Sequence, residues 1–296
     1  MRIVTRPDFD GIVCAVLLFD VLDIQLPVKW VEPSDIQKGH EEIREGDVLA
    51  NLPFDKRCSI WFDHHYTNEI DEPFEGSFKM APSAARVIFQ HYHGKFSRDY
   101  SELVAAADKI DSADLTIDEV THPERYPYVL LSMTVKIPGH EEAYWNHLVT
   151  LLCNGDIASV MEDPEVQKRC QETIEENEQY RDLLLAHTQM HQHVSVTDFR
   201  MFNQTPSGNR FLVFSMLPES VVNVKIHHHD DDPEKIVVHL GHSIFNRNCR
   251  VNVGKLLAGF EGGGHRGAGA TTFSAEKADD YIPKILDALV QNESNE

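Results

Sequence analysis

The first third of the chain alternates short apolar runs with an amphipathic stretch, and this alternation limits the fold more than any other feature. The amphipathic stretch, Gly11–Leu22, has helical spacing. The apolar runs predict strands at Arg2–Thr5, Val28–Val31, Asp47–Leu52 and Ser59–Phe62. This order favours an α/β fold with a mostly parallel, doubly wound sheet. Ligands of such sheets bind just beyond the carboxyl ends of the strands.

Helical spacing continues through the middle of the chain, and a mixed pattern follows it. The predicted helices of the middle are Pro82–Tyr92, Asp99–Ile110, Glu141–Leu152 and Pro164–Met190. Later strands are predicted at Val194–Phe199, Phe211–Leu217, Ile236–His242 and Gly269–Phe273, and later helices at Val253–Phe260 and Ala275–Val290. The run His227–Asp232 is interpreted as an exposed polar turn. Because 296 residues exceed the usual size of one domain, we expect two, residues 1–190 with the long helix as connector and a smaller α/β unit at residues 191–296.

The formal net charge of −21 disfavours long duplex nucleic acid as a partner, because duplex binding depends on neutralised phosphates. A small phosphorylated substrate or a short single-stranded oligonucleotide stays compatible, since a cleft needs positive charge only locally. No stretch approaches the roughly 20 apolar residues of a membrane span. We therefore expect a cytoplasmic protein without a membrane partner.

Two carboxylates, Asp8 and Asp10, stand directly after the first predicted strand and before Gly11. Carboxylates at this spacing can bind one or two hard divalent cations. The same residues also suit a turn that leads into a helix N-cap. The sequence leaves both interpretations open.

A second polar group, Asp63-His64-His65, ends the apolar run before it. Adjacent histidines point to different sides, so one can ligate a metal while the other contacts a phosphate, and the aspartate can orient a ring. Two surface histidines are the alternative interpretation. Because all these groups follow predicted parallel strands, we expect them to meet at one edge of the sheet.

A third group is glycine-rich and runs from Gly262 to Gly269. Consecutive glycines let the backbone approach an anion and present N–H groups to it, while His265 and Arg266 add hydrogen-bond donors. A flexible connection is the alternative, because glycine-rich segments are common in loops.

In this order the three motifs, TRPDFDG, WFDHH and EGGGHRGAGA, resemble those of the DHH phosphoesterases that carry a C-terminal DHHA1 domain. That family includes exopolyphosphatases, nanoRNases, cyclic-dinucleotide phosphodiesterases and single-strand exonucleases. The resemblance spans nearly the whole chain and implies a DHH domain joined by a long helix to a smaller DHHA1 domain. It also implies one or two Mn²⁺ or Mg²⁺ ions, a homodimer, and metal-dependent hydrolysis of a small phosphoester or phosphoanhydride, whether a short oligonucleotide, a cyclic dinucleotide, a nucleotide derivative or polyphosphate.

The resemblance assigns roles to residues by position. The implied metal ligands are Asp8, Asp10, His64 and Asp111, with Asp108 as the alternative to Asp111. His65 would contact the substrate phosphate, and Asp63 would support the histidines. The implied substrate-binding residues are Gly262, Gly263, Gly264, His265 and Arg266, with Asn246, Arg247 and Arg250 as helpers.

Two positions depart from the family pattern. Members usually have a metal-binding histidine or aspartate shortly before the paired carboxylates, whereas this chain has Arg6 there, which is always protonated and cannot ligate a cation. Asn51 is the best match to an aspartate that bridges two metals. Our hypothesis is that Arg6 replaces the second cation and pairs with Asp8 or holds a phosphate oxygen. The alternative to a hydrolase is a catalytically weakened protein that binds a phosphorylated ligand with one metal or none.

Overall fold

The computed structural model describes residues 1–22, 24, 27–136 and 141–296. The chain divides into two compact units. The first contains Met1–Leu115 and Pro123–Thr173, and the second contains Thr116–His122 and Ile174–Glu296. Each unit has its own sheet with helices, which confirms the predicted α/β fold class. The assignment of residues 1–190 and 191–296 to two domains stays a prediction.

The predicted elements up to the long helix are present in the predicted order, but a fifth strand and four short helices were not predicted, and the long helix ends at His187 rather than at Met190. The elements of this part are β1 (Arg2–Thr5), α1 (Phe9–Val21), β2 (Lys29–Trp30), α2 (Pro33–Gln37), β3 (Asp47–Ala50), β4 (Ile60–Asp63), β5 (Gly76–Phe78), α3 (Ala84–His91), α4 (Ser101–Asp111), α5 (Ile117–Thr121), α6 (Pro127–Met133), α7 (Glu142–Asn154), α8 (Ile157–Met161) and α9 (Pro164–His187). The division between the units falls inside α9. No helix of the described chain is both long enough and apolar enough to cross a bilayer.

The elements after the long helix build the second sheet. They are β6 (Thr188–His191), β7 (Val194–Asp198), α10 (Leu212–Met216), β8 (Val222–His229), β9 (Asp232–His242), α11 (Val253–Ala258), β10 (Gly262–His265), β11 (Ala268–Ser274) and α12 (Ala278–Gln291).

The sheet of the first unit has five parallel strands in the order β2-β1-β3-β4-β5. Helix α1 is apolar on all sides and is buried along most of its length, because it packs against the sheet as well as α3, α4 and α7. Every residue of the central strand β3 is buried, as expected for a parallel strand covered on both faces. In this strand order the switch point lies between β1 and β3, where ligands bind beyond the carboxyl ends.

The sheet of the second unit has the order β10-β11-β9-β8-β7-β6 and is antiparallel except for the pair β7 and β8. Alternate residues of its strands form an apolar face that packs against α11 and α12. The members of this core include Val222, Val224, Ile226, Val238, Leu240, Leu257, Ile285 and Leu289. The opposite face of the sheet is largely polar, and we call it the polar face; it carries Lys225, His227 and His239.

Three sequence-based predictions in the second unit are wrong in detail. Phe211–Leu217 is not a strand: it contains α10, whose apolar residues are buried on several sides, and a short buried helix has no periodicity that separates it from a strand. The histidines of the run His227–Asp232 belong to β8, so only Asp230 and Asp231 form the turn. The glycine-rich segment is a hairpin of β10 and β11.

The glycines of this hairpin are not equivalent. Gly264 has a φ of +146°, which is a backbone region open almost only to glycine. An added Cβ there would also overlap the Ala268 carbonyl group, whereas a Cβ on Gly263 would meet no atom within 4 Å. The fold therefore requires glycine at position 264 and does not require it at position 263.

We predict that Gly264→Ala lowers the free energy of unfolding by about 1–3 kcal/mol, because the strained backbone is added to a steric overlap. Gly263→Ala is the matched control and should change it by less than about 0.5 kcal/mol. Urea unfolding followed by circular dichroism measures both. Equal midpoints for the two variants would contradict the prediction.

Candidate metal centre

The polar residues predicted from the sequence meet at the carboxyl edge of the first sheet. Asp8 and Asp10 follow β1, Asn51 follows β3, and Asp63 is the last residue of β4. These strands are neighbours in the order β1-β3-β4. The group therefore lies at the switch point of the sheet, the position expected for a ligand site.

Asp10 is a buried carboxylate held by the first turn of α3. Its two oxygens accept hydrogen bonds from the backbone N–H groups of Ala84 and Ala85, at 2.8 and 2.9 Å. Burial and then the nearby carboxylates Asp111 and Asp8 raise the pKa of Asp10 well above its usual value. The helix N-terminus fixes the carboxylate but does not fully compensate its charge. A cation bound beside it would do so.

His64 is oriented as a metal ligand. Its Nδ1 lies 3.0 Å from the carbonyl oxygen of Ala81, which can only accept, so Nδ1 carries the proton and Nε2 has the free lone pair. Nε2 lies 3.3 Å from Asp111 Oδ2 and 3.9 Å from Asp10 Oδ2. It is buried and has no hydrogen-bond partner among the described residues.

One ligand atom each of Asp10, His64 and Asp111 lies within 4.8 Å of the other two. Ligand atoms that share one cation at about 2.0–2.2 Å are separated from one another by roughly 3–4.4 Å, so this group fits one divalent ion. Carboxylate and imidazole donors suit manganese and similar metals. The side chains present therefore fit a single cation.

Asp111 and Asp108 have different environments, although both belong to α4. Asp108 accepts hydrogen bonds from Ser83 Oγ at 2.7 Å and from the guanidinium of Arg86 at 2.5 and 2.8 Å. Asp111 instead faces His64, and burial raises its pKa. The geometry favours Asp111 as the ligand. Asp108 instead connects α4 to α3 through its hydrogen bonds with Ser83 and Arg86.

The carboxylate of Asp8 already has partners within the protein. Its Oδ1 accepts from Gly11 N–H at 2.8 Å as the N-cap of α1, and from Asn51 Nδ2 at 2.9 Å. Its Oδ2 lies 3.2 Å from Arg6 Nε. Burial raises the pKa of Asp8 to about 6, although the Arg6 charge opposes the shift. The N-cap interpretation is correct, and Arg6 pairs with Asp8 as the one-cation hypothesis requires.

Asp63 supports His65 rather than His64. Its Oδ1 lies 2.8 Å from His65 Nδ1, and its Oδ2 accepts from Asn68 Nδ2 at 2.7 Å. The hydrogen bond with Asp63 raises the pKa of His65, which favours the protonated ring. The two histidine rings lie side by side with centroids 4.2 Å apart. An imidazole whose protonated form is favoured by Asp63 therefore stands next to the candidate cation site.

The sequence does not predict the contacts that orient Asp10 and His64. They come from backbone groups at residues 81, 84 and 85, which carry no side-chain motif. The proline at position 82 and the Ser83 N-cap do signal the start of a helix. Nothing in the sequence shows that this helix begins against Asp10.

The remaining predicted residues belong to the second unit. Strand alternation places Gly263 and His265 on the polar face and Gly262 and Gly264 on the opposite face. Arg266 is paired with Glu296 at 2.7 Å, which leaves it less suited to a ligand. The remaining helpers make local contacts: Arg247 Nε donates to the Ile244 carbonyl oxygen, Asn246 Nδ2 donates to the Glu219 carbonyl oxygen, and the backbone N–H of Arg250 donates to Asn292 Oδ1.

Solved structures show which proteins this chain is similar to. A pGpG-specific phosphodiesterase, PggH from Vibrio cholerae, is 29% identical, covers 99% of both chains and superposes with a TM-score of 0.86. An exopolyphosphatase-related protein from Bacteroides fragilis is 15% identical over 98% of this chain and 93% of its own, with a TM-score of 0.57. The exonuclease RecJ bound to manganese is 13% identical over 98% and 90%, with a TM-score of 0.54. No protein-family model and no curated protein matches the sequence.

We predict that the purified protein binds one equivalent of Mn²⁺ tightly. Asp111→Asn should abolish this binding, since it removes a ligand, whereas Asp108→Asn should lower the unfolding midpoint and keep one equivalent. Bound manganese at 100 times its dissociation constant should stabilise the wild-type fold by about 2.7 kcal/mol. Metal analysis and calorimetry measure the stoichiometry and the stabilisation. Two tightly bound equivalents in the wild type would contradict the prediction.

Proposed function

We infer that this chain is a DHH-family phosphoesterase and that it hydrolyses short phosphorylated dinucleotides in a metal-dependent reaction. The convergence of Asp10, His64 Nε2 and Asp111 carries the proposal, because two carboxylates and a lone pair without a hydrogen-bond partner among the described residues could hold a cation. The substrate class rests on the likeness to the pGpG-specific phosphodiesterase, which extends over 99% of both chains. A linear dinucleotide with a 5′-phosphate is the proposed substrate.

A divalent cation at this site would lower the pKa of its bound water from about 16 towards 7 and so supply hydroxide near neutral pH. Asp10, His64 and Asp111 would hold the ion. His65, whose protonated form is favoured by the hydrogen bond with Asp63, would donate a hydrogen bond to a phosphoryl oxygen and stabilise the negative charge that develops there.

Arg6 and Asn51 would act through Asp8 in this proposal. Asn51 donates to one oxygen of Asp8, and the guanidinium of Arg6 balances its charge. A guanidinium supplies positive charge without activating water, so the proposed enzyme works with one cation. The unbonded donors of Arg6 could also contact a phosphoryl oxygen.

In the second unit, Gly263 would let the backbone approach the substrate, and His265 on the same face would add a polar contact. The other two glycines of the motif have a structural explanation. A homodimer and a cytoplasmic location also belong to the proposal, as does binding of short oligonucleotides.

The environment of Asp8 favours a second candidate function. Because Asp8 is bound to Arg6 and Asn51, a site with weakened catalytic power could serve to bind a phosphorylated ligand and report its concentration. The hydrolase and the sensor differ in whether the bound ligand is hydrolysed. Both would bind the same class of phosphorylated ligand.

We predict Mn²⁺-dependent hydrolysis of the guanosine dinucleotide pGpG, with slower or no hydrolysis of a cyclic dinucleotide and polyphosphate. Asp10→Asn should lower the rate at least about 100-fold, because it removes a ligand of the cation. Asp20→Asn is the control: it makes the same chemical change in α1 at a residue that binds Ser97 at the surface. Chromatography of the products measures the rates.

Absence of turnover above the level of Asp10→Asn on every one of these substrates would contradict the hydrolase. Tight binding of pGpG without turnover would then support the sensor.

A further inference from the structure

One aromatic ring of the protein lies in solvent next to the candidate cation site. The chain contains 15 phenylalanines, 8 tyrosines and 3 tryptophans, all of them within the described ranges. Every one of these side chains is buried or partly buried except that of Tyr66, which is 61% exposed. Aromatic rings stabilise a fold mainly through the apolar area that they bury. The packing of the fold therefore makes little use of Tyr66.

Tyr66 follows His65 directly, just beyond the carboxyl end of β4. Consecutive Cα atoms are about 3.8 Å apart, so the Tyr66 side chain begins beside the imidazole that we expect to contact a phosphoryl oxygen. The ring of His65 in turn lies next to that of His64, with centroids 4.2 Å apart. All three residues belong to the first unit. A ligand that contacts Tyr66 and the cation site therefore needs this unit alone.

Hydrogen bonds hold the backbone at Tyr66 in place. Tyr66 begins a single 3-10 turn that ends at Asn68. The backbone N–H of Asn68 donates to the His65 carbonyl oxygen at 2.9 Å, and its Nδ2 donates to Asp63 Oδ2 at 2.7 Å. A side chain on a fixed backbone loses less conformational freedom when it binds a ligand. The turn thus presents the exposed ring at a defined position.

The neighbouring loop adds a second exposed apolar side chain, that of Met80, which is 68% exposed. On one side of Met80, the backbone N–H of Lys79 donates to the Asp63 carbonyl oxygen at 3.3 Å. On the other side, the Ala81 carbonyl oxygen lies 3.0 Å from His64 Nδ1. Methionine is flexible and makes favourable contacts with aromatic groups. The loops after β4 and β5 therefore present apolar surface as well as the polar groups of the site.

This combination of groups fits a nucleotide better than an inorganic phosphate. A cation and an imidazole can contact only the phosphate, which nucleotides and polyphosphate have in common. An exposed aromatic ring adds a surface on which a nucleobase stacks. In a nucleotide only the sugar separates the base from the phosphate, so a base whose phosphate contacts His65 can reach the adjacent residue. Polyphosphate has no group that would use Tyr66.

We propose that the ring of Tyr66 stacks on one guanine of the dinucleotide and so selects nucleotides over polyphosphate. This inference rests on the proposed function and specifies how its substrate is recognised. Stacking uses the face of a base and not its hydrogen-bonding edge, so it is tolerant of base identity. Tyr66 thus selects for the presence of a base, and the preference for guanine over other bases comes from other groups.

The test uses three analogues of the guanosine dinucleotide whose internucleotide bridge is a non-hydrolysable methylene phosphonate. One analogue has both guanines, and each of the other two has a hydrogen atom in place of one guanine. Calorimetry with the full-length, manganese-loaded protein measures their affinities. Tyr66→Ala should weaken binding of the complete analogue at least about fivefold. It should change the affinity for one of the two incomplete analogues by less than about twofold, because that analogue lacks the base that stacks.

Tyr66→Phe keeps the ring and should bind the complete analogue within about twofold of the wild type. Leu185→Ala is the matched control for the loss of an exposed apolar side chain, because Leu185 is 64% exposed and belongs to the second unit. It should leave all three affinities within about twofold of the wild type. Equal unfolding midpoints would show that the variants keep the fold, and Tyr66→Gln is the second variant should Tyr66→Ala fail to fold.

Unchanged affinity of Tyr66→Ala for the complete analogue would overturn the inference, and so would a loss of the same size for all three analogues. The proposed function fails separately, because the affinities are measured without hydrolysis. A protein that shows the base-dependent loss but does not cleave pGpG would support this inference and contradict the hydrolase. Cleavage of pGpG without a base-dependent loss would do the reverse.

Discussion

The contact between the Asp10 carboxylate and the first turn of α3 is the interaction on which the rest of the candidate site depends. It joins the helix after β1 to the helix after β5 and brings the loop before α3, with its Ala81 carbonyl, into place beside His64. A buried carboxylate costs several kcal/mol unless its charge is compensated. Two backbone N–H groups compensate Asp10 in part, and the nearby Asp8 and Asp111 add repulsion. The first unit therefore holds a concentration of negative charge that a bound cation would stabilise.

Arg6 and Asn51 reduce the negative charge that is available to a bound cation. By binding Asp8, they separate it from the group of Asp10, His64 and Asp111. The positive charge of a guanidinium can replace that of a metal ion in holding the fold together. It cannot replace the ion as a Lewis acid that activates water or polarises a phosphoryl oxygen. The contacts of Arg6 and Asn51 with Asp8 thus leave Asp10, His64 and Asp111 as the group that fits a cation.

Much of this architecture could be predicted from the sequence, because local patterns encode it. The strands β1, β3 and β4 are continuous apolar runs, and parallel connectivity then fixes which of their ends share an edge. That was sufficient to place Asp8, Asn51 and Asp63 in one region. The partners of Asp10 and His64 could not be predicted, because they are backbone groups 17 to 75 residues away that only the tertiary fold brings near. The prediction of a strand at Phe211–Leu217 was wrong for a different reason. The apolar residues of α10 are buried on several sides, and a short buried helix has no distinctive periodicity.

Because the glycine-rich motif is a strand, some of its residues are required by the fold and others remain open to a ligand. As a loop, its residues would be equivalent. As strand β10, it alternates, and Gly262 and Gly264 face the helix-covered side, where added side chains would overlap neighbouring atoms. Gly263 and His265 then share the polar face. A shift of one residue in register would exchange the two sets, so the same hydrogen bonds that fix the hairpin also decide which glycines pack against neighbouring atoms and which face open space.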